Sequence, residues 1–124
     1  KYDLRRVGMV KDTIHTTVPD TLYARGVKLL NEREYNEALR ILRPYEDRNT
    51  AVAMLSLGHD EQAYEVLCRL EEEATVEYLK AVACARMGRV EEGKAAFRRA
   101  CELQPNFEYR GNLDPEIREL ITTQ

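Results

Sequence analysis

A chain of 124 residues, a third of them charged and with a net charge of −3, has the size of one domain and enough apolar material for a core of its own. Its 19 basic residues are interspersed among 22 acidic ones, which excludes the clustered basic face of a nucleic-acid binder. No apolar run approaches the roughly 20 residues that cross a bilayer, so membrane insertion is not expected.

Residues 1–18 read differently from the rest. Val10, Ile14, Thr16 and Val18 alternate with polar neighbours in the manner of an extended strand. We therefore expect an arm, or the remnant of a preceding domain, at 1–18 and a helical domain over 19–124. The chain opens on Lys1 with no basic-then-apolar leader, which fits a mature product or a piece of something longer.

Pro19 stops the arm, and Asp20 or Thr21 caps a first helix that carries Leu22, Ala24, Gly26, Leu29 and Leu30 as far as about Glu32. A second helix is expected from about Tyr35 to Arg43, where Pro44 disfavours helix in the residue before it, with one further turn allowed across the proline. Asn49 and Thr50 are read as the cap of a short helix over 51–57 that Gly58 terminates. The next helix is expected over 60–73, with Ala63, Tyr64, Val66, Leu67 and Leu70 on its apolar side. Thr75 opens a helix that runs to Met87 before Gly88, and Val90 opens another that runs to Leu103 before Pro105. Phe107, Tyr109 and Gly111 are read as a loop. A last helix, capped at Asp114 with Pro115 in its first position, buries Ile117, Leu120 and Ile121 and serves as a cap over 114–122.

Three stretches repeat one phrase: a turn, then a helix in which a small residue (Ala38, Ala63, Gly93) stands one helical turn before a large apolar one (Leu42, Leu67, Phe97). Copies of a helical hairpin bury together what one hairpin cannot bury alone.

Little in the chain points to chemistry. Cys68, Cys84 and Cys101 are odd in number and widely spaced, form no Cys-x-x-Cys pair and have no histidine at ligand spacing, so no metal site is expected. All three fall in helices and are read as buried, inert thiols. His15 and His59 have no partner in register for nucleophilic catalysis, and the carboxylates fall on helix first turns or solvent faces. Gly26, Gly58, Gly88 and Gly93 are isolated, not a phosphate loop. No catalytic residue and no cofactor is expected.

The repeated phrase resembles the tetratricopeptide repeat, a unit of about 34 residues made of two antiparallel helices. The third copy is the most similar, its small positions falling on Ala81, Gly93 and Ala100 and its large ones on Cys84 and Phe97. The first copy places Gly26, Leu29, Tyr35, Ala38 and Leu42 correctly but puts Tyr45 where a small residue belongs. The middle copy is short, only 25 residues separating Ala38 from Ala63. The resemblance implies an all-α superhelix of about three stacked hairpins with a C-terminal capping helix.

It also implies a concave face, lined in this chain by Tyr23, Val27, Leu30 and Asn31, then Arg48, Val52, Leu55 and Ser56, then Tyr78, Val82, Ala85 and Arg86. Such a lining suits an amphipathic or extended peptide with an acidic group; an equal reading places the valines and leucines in the core. Val27 and Val82 stand where relatives that clamp the acidic tail of a chaperone carry asparagine, which disfavours that ligand.

The function implied is a non-catalytic module that binds a peptide or a partner domain, the alternative being a structural spacer or homodimeric assembly element. A looser similarity, in the phrases at 20–26 and 112–116, is to repeat segments of cell-envelope proteins of Bacteroides-type bacteria, and it favours a periplasmic or envelope setting over the cytoplasm.

Overall fold

The structure, a computed structural model, describes residues 20–123; the arm expected at 1–18 lies outside them. Eight α-helices follow in order: α1 (Thr21–Asn31), α2 (Tyr35–Leu42), α3 (Arg48–Ser56), α4 (Asp60–Cys68), α5 (Ala74–Met87), α6 (Val90–Leu103), α7 (Asn106–Leu113) and α8 (Pro115–Thr122). No strand interrupts them among the described residues. The fold is all-α.

Three helices start on an aspartate whose carboxylate takes up an orphan N–H of the first turn. Asp20 accepts from the Tyr23 N–H at 3.0 Å, Asp47 from the Thr50 N–H at 3.0 Å, and Asp114 from the Glu116 N–H at 3.0 Å. At α3 the bond is reciprocated, the Asp47 N–H donating to Thr50 Oγ1 at 3.3 Å. The cap of α3 is therefore Asp47, not Asn49 or Thr50, and the helix begins at Arg48.

Helices α1, α3 and α5 stop in one way. Glu34 N–H donates to the Leu29 carbonyl at 2.9 Å, His59 N–H to Met54 at 2.8 Å and Arg89 N–H to Cys84 at 2.9 Å. In each case the preceding residue is left-handed: Arg33 (φ 67°), Gly58 (φ 85°) and Gly88 (φ 76°). This closure satisfies the last carbonyls and turns the chain directly into the next helix. Glycine adopts that conformation freely, whereas at Arg33 a Cβ crowds the following carbonyl.

Two elements differ from the expectation. Helix α4 ends at Cys68 instead of near Glu73; continuing it would set Glu71, Glu72 and Glu73 on the negative end of the helix dipole. The chain breaks instead, Glu73 becomes extended, and Glu72 and Glu73 are taken by arginines of neighbouring helices. The stretch read as a loop around Phe107 is helix α7. Phe107 is buried against the Tyr78 ring at 5.1 Å between centroids, and Gly111 lies so close to the Phe97 ring that no Cβ fits there. The further turn allowed across Pro44 is present, as the 3₁₀ turn Arg43–Tyr45.

Helix α2 packs on α1 and α3, α4 on α3 and α5, and α6 on α5, α7 and α8. Helix α5 also touches α3 and α8, and Tyr23 of α1 bonds Asp47 at the start of α3, so that α1, α3, α5 and α8 follow one another in a row. The small residues Ala38, Ala63 and Gly93 are buried in these contacts beside Leu42, Leu67 and Phe97. A Cβ on Gly93 would stand 3.0 Å from Leu120 Cδ2 and 3.1 Å from Cys84 Cβ, so glycine is what lets α6 approach α5 and α8. Helix α3 is buried without a break from Asn49 to Ser56. Its polar groups are satisfied there: Thr50 Oγ1 donates to the Leu42 carbonyl at 2.7 Å and Ser56 Oγ to the Val52 carbonyl at 2.8 Å.

Arg33→Gly removes the strain of a Cβ in the left-handed region and raises stability by about 0.5–1 kcal/mol, while Gly88→Ala, at the equivalent position of α5, lowers it by about 1 kcal/mol. Urea unfolding midpoints of the two variants should move in opposite directions.

Candidate functional site

The residues named for the concave face divide into two groups. Val27, Val52, Tyr78 and Val82 lie in the core, each 1 % exposed or less, and offer no surface to a ligand; Leu30, Leu55 and Ser56 are buried with them. Tyr23, Asn31, Arg48, Ala85 and Arg86 remain half-buried. On these helices the inward and outward positions adjoin so closely that the larger apolar side chains turn into the core.

The polar residues join each helix of the row to the acidic cap of the next. Tyr23 on α1 donates its hydroxyl to Asp47 Oδ2, the cap of α3, and receives the Asn49 amide at 3.0 Å. Arg48 on α3 reaches Glu73, the residue just before α5, with Nη1 to Oε1 at 3.3 Å. Tyr78 on α5 donates to Asp114 Oδ2, the cap of α8, at 2.6 Å, a buried bond. Sequence reasoning missed these pairs, although an aspartate or glutamate just before each helix start was a visible signal for its acceptor.

Arg86, expected to face a ligand, is committed inside the molecule. Its Nε and Nη2 grip both oxygens of Glu116 on α8 at 2.8 and 3.1 Å. Its Nη1 donates to Asp60 Oδ1 at 3.0 Å and to the Leu55 carbonyl. The side chain is 15 % exposed. Burial works to lower its pKa, but Glu116 and Asp60 hold it above the ordinary value, so the guanidinium ties α3, α4, α5 and α8 as a fixed charge.

Arg48 is different. Its Nε is buried and has no hydrogen-bond partner, and among the described residues its one ion pair is to Glu73, whose side chain is 57 % exposed.

Burial lifts the Tyr23 phenol, with help from the Asp47 carboxylate, from 10.0 to about 12, and lifts the Cys84 thiol from 9.0 to about 11. Hydrogen bonding from Tyr45, then from the Tyr23 N–H, lowers Asp20, and the Arg99 fork lowers Glu72. Each of these shifts leads away from neutrality, the reverse of what a general acid or base working near pH 7 requires. Of the cysteines, Cys84 is buried and Cys101 half-buried, but Cys68 is exposed at the last turn of α4, against expectation. No cluster of metal-ligating side chains occurs among the described residues, and no helix there is long and apolar enough to cross a membrane.

Arg86→Ala leaves two half-buried carboxylates without their cation and costs about 2–3 kcal/mol, whereas Arg99→Ala, which breaks an exposed pair with Glu72, leaves the urea midpoint almost unchanged. Because the folded state raises the Tyr23 pKa, the stability it contributes is complete below about pH 10 and is lost between about pH 10 and 12; Tyr23→Phe should show a shallower alkaline decline in melting temperature than the parent chain. Comparisons with family models, with curated proteins and with solved structures return no match to this chain.

Proposed function

We propose that the chain is a non-catalytic interaction module whose paired helices stack as hairpins of the tetratricopeptide type, α1 with α2, α3 with α4 and α5 with α6, and α8 closing the stack. Its ligand is an extended or amphipathic peptide with an acidic group, received along the row formed by α1, α3 and α5.

The observation that carries this reading is the state of Arg48. A guanidinium has five donors in a fixed fork; here Nε is buried with no acceptor, and the one partner among the described residues is a glutamate lying mostly in solvent. The end of the fork reaches the surface, the side chain being 17 % exposed, and a carboxylate arriving there adds to the single solvent-exposed glutamate, which is the character of an arginine anchor at a binding surface. Tyr23 and Asn49 stand beside it, joined to each other at 3.0 Å, and the half-exposed Asn31 ends the same helix as Tyr23.

A spacer or assembly element is the second reading, and one observation favours it: Tyr78 and Arg86, the other polar members of the proposed surface, are engaged with the chain's own α8.

Peptides selected on the immobilised chain from a library of acidic sequences should bind the parent, lose at least about tenfold in affinity with Arg48→Glu, and keep their affinity with Arg99→Glu. If no peptide is selected, or if affinity ignores Arg48 while helix content is unchanged, the groove reading fails and the spacer reading replaces it.

A further inference from the structure

The two ends of the row are finished differently. At its head, Asp20 caps α1 with Oδ1, and its Oδ2 accepts the Tyr45 hydroxyl at 2.6 Å. That is the bond which Asp47 and Asp114 receive from the preceding helix of the row. Tyr45, packed edge to face on Tyr23 at 4.8 Å, thus fills at Asp20 the position that a tyrosine of the preceding helix fills at Asp47 and Asp114.

Nothing among the described residues closes the tail. Helix α8 turns Arg118 and Glu119 outward, both exposed, and neither side chain is paired within the described chain. They line an open cleft of about 420 Å³ between α7 and α8, together with Leu113 and Pro115. The two most exposed large apolar side chains of the described chain gather at this end, Tyr109 at 71 % and Leu113 at 66 %. They stand four residues apart on α7 and so share one face of it.

We propose that this α7–α8 face is a docking surface for a second copy of the same chain, related to the first by a two-fold axis. The charge pattern selects that occupant. A two-fold contact brings a surface against itself, so it must carry both halves of each pair. The tail does so in adjacent residues: Arg118 of one copy meets Glu119 of the other, twice over, while Leu113 and Tyr109 supply apolar area between the two pairs. The contact is separate from the acidic-peptide surface around Arg48 and stands or falls without it.

Sedimentation of the full chain over a range of concentrations tests this. The parent should pass from monomer to dimer, without larger species. Arg118→Glu, which sets four carboxylates face to face, and Leu113→Asp should each weaken the dimer by about tenfold or more. The double variant Arg118→Glu with Glu119→Arg restores the pairs with reversed polarity and should dimerise like the parent. Arg25→Glu, on the exposed side of α1, should have no effect. All these side chains are exposed, so circular dichroism should show unchanged helix content in each variant. A parent that stays monomeric throughout, a dimer indifferent to Arg118→Glu and Leu113→Asp, or a double variant that fails to recover overturns the proposal. Growth into larger species that Leu22→Asp at the head abolishes overturns it in favour of head-to-tail assembly.

Discussion

An acidic residue at the start of a helix has two oxygens, and this chain uses both. In Asp20, Asp47 and Asp114 one oxygen takes up an N–H of the helix that the residue begins, and the other accepts a tyrosine hydroxyl. The first bond decides where a helix begins; the second decides what it lies beside. Apolar burial pulls helices together but is indifferent to sliding, whereas a phenol reaching a cap carboxylate is met at one register only. The stacking order of the row is specified by a few such contacts, and the core of Leu30, Leu42, Leu67, Leu79 and Ile117 fills in around them.

Much of this fold was legible because its punctuation is local. Gly88 and Pro105 bracket α6, which runs from Val90 to Leu103 as the spacing implied. The small-to-large steps at Ala38, Ala63 and Gly93 showed which side of each helix turns inward. What could not be read depended on neighbours far along the chain. Helix α7 has no apolar stripe of its own, and it forms because Phe107 finds Tyr78 and Gly111 finds Phe97, partners 29 and 14 residues away in the sequence. The end of α4 was misread because Leu70, half-buried against the core, continued the apolar pattern while the three glutamates after it opposed the dipole.

The surface was less legible than the core for a related reason. A helical stripe identifies an inward face only when the opposite face is wet, and α3 and most of α5 have no wet face. Val52 and Val82 therefore carry the same sequence signature whether they line a groove or fill a core. Polar residues discriminate better, since each must find a partner. Arg86 has found three and belongs to the scaffold; Arg48 retains an unmet donor. Neither state can be deduced from residue type, because it depends on whether Glu116 and Asp60 are brought within reach.

The enclosure of α3 bears on how the molecule comes apart. In an array whose members touch only their immediate neighbours, terminal pairs can fray while the middle persists. Here the eight residues from Asn49 to Ser56 are all buried, and the carbonyl of Leu55 is held by an arginine of α5. Loosening either flank uncovers part of α3 and takes a hydrogen-bond partner from it, the acceptor of Thr50 on the α2 side and the donor to Leu55 on the α5 side, so damage at one end is felt at the other. The chain thus behaves as a single cooperative unit with a central pin, and it tolerates being lengthened at its ends far better than being divided in its middle.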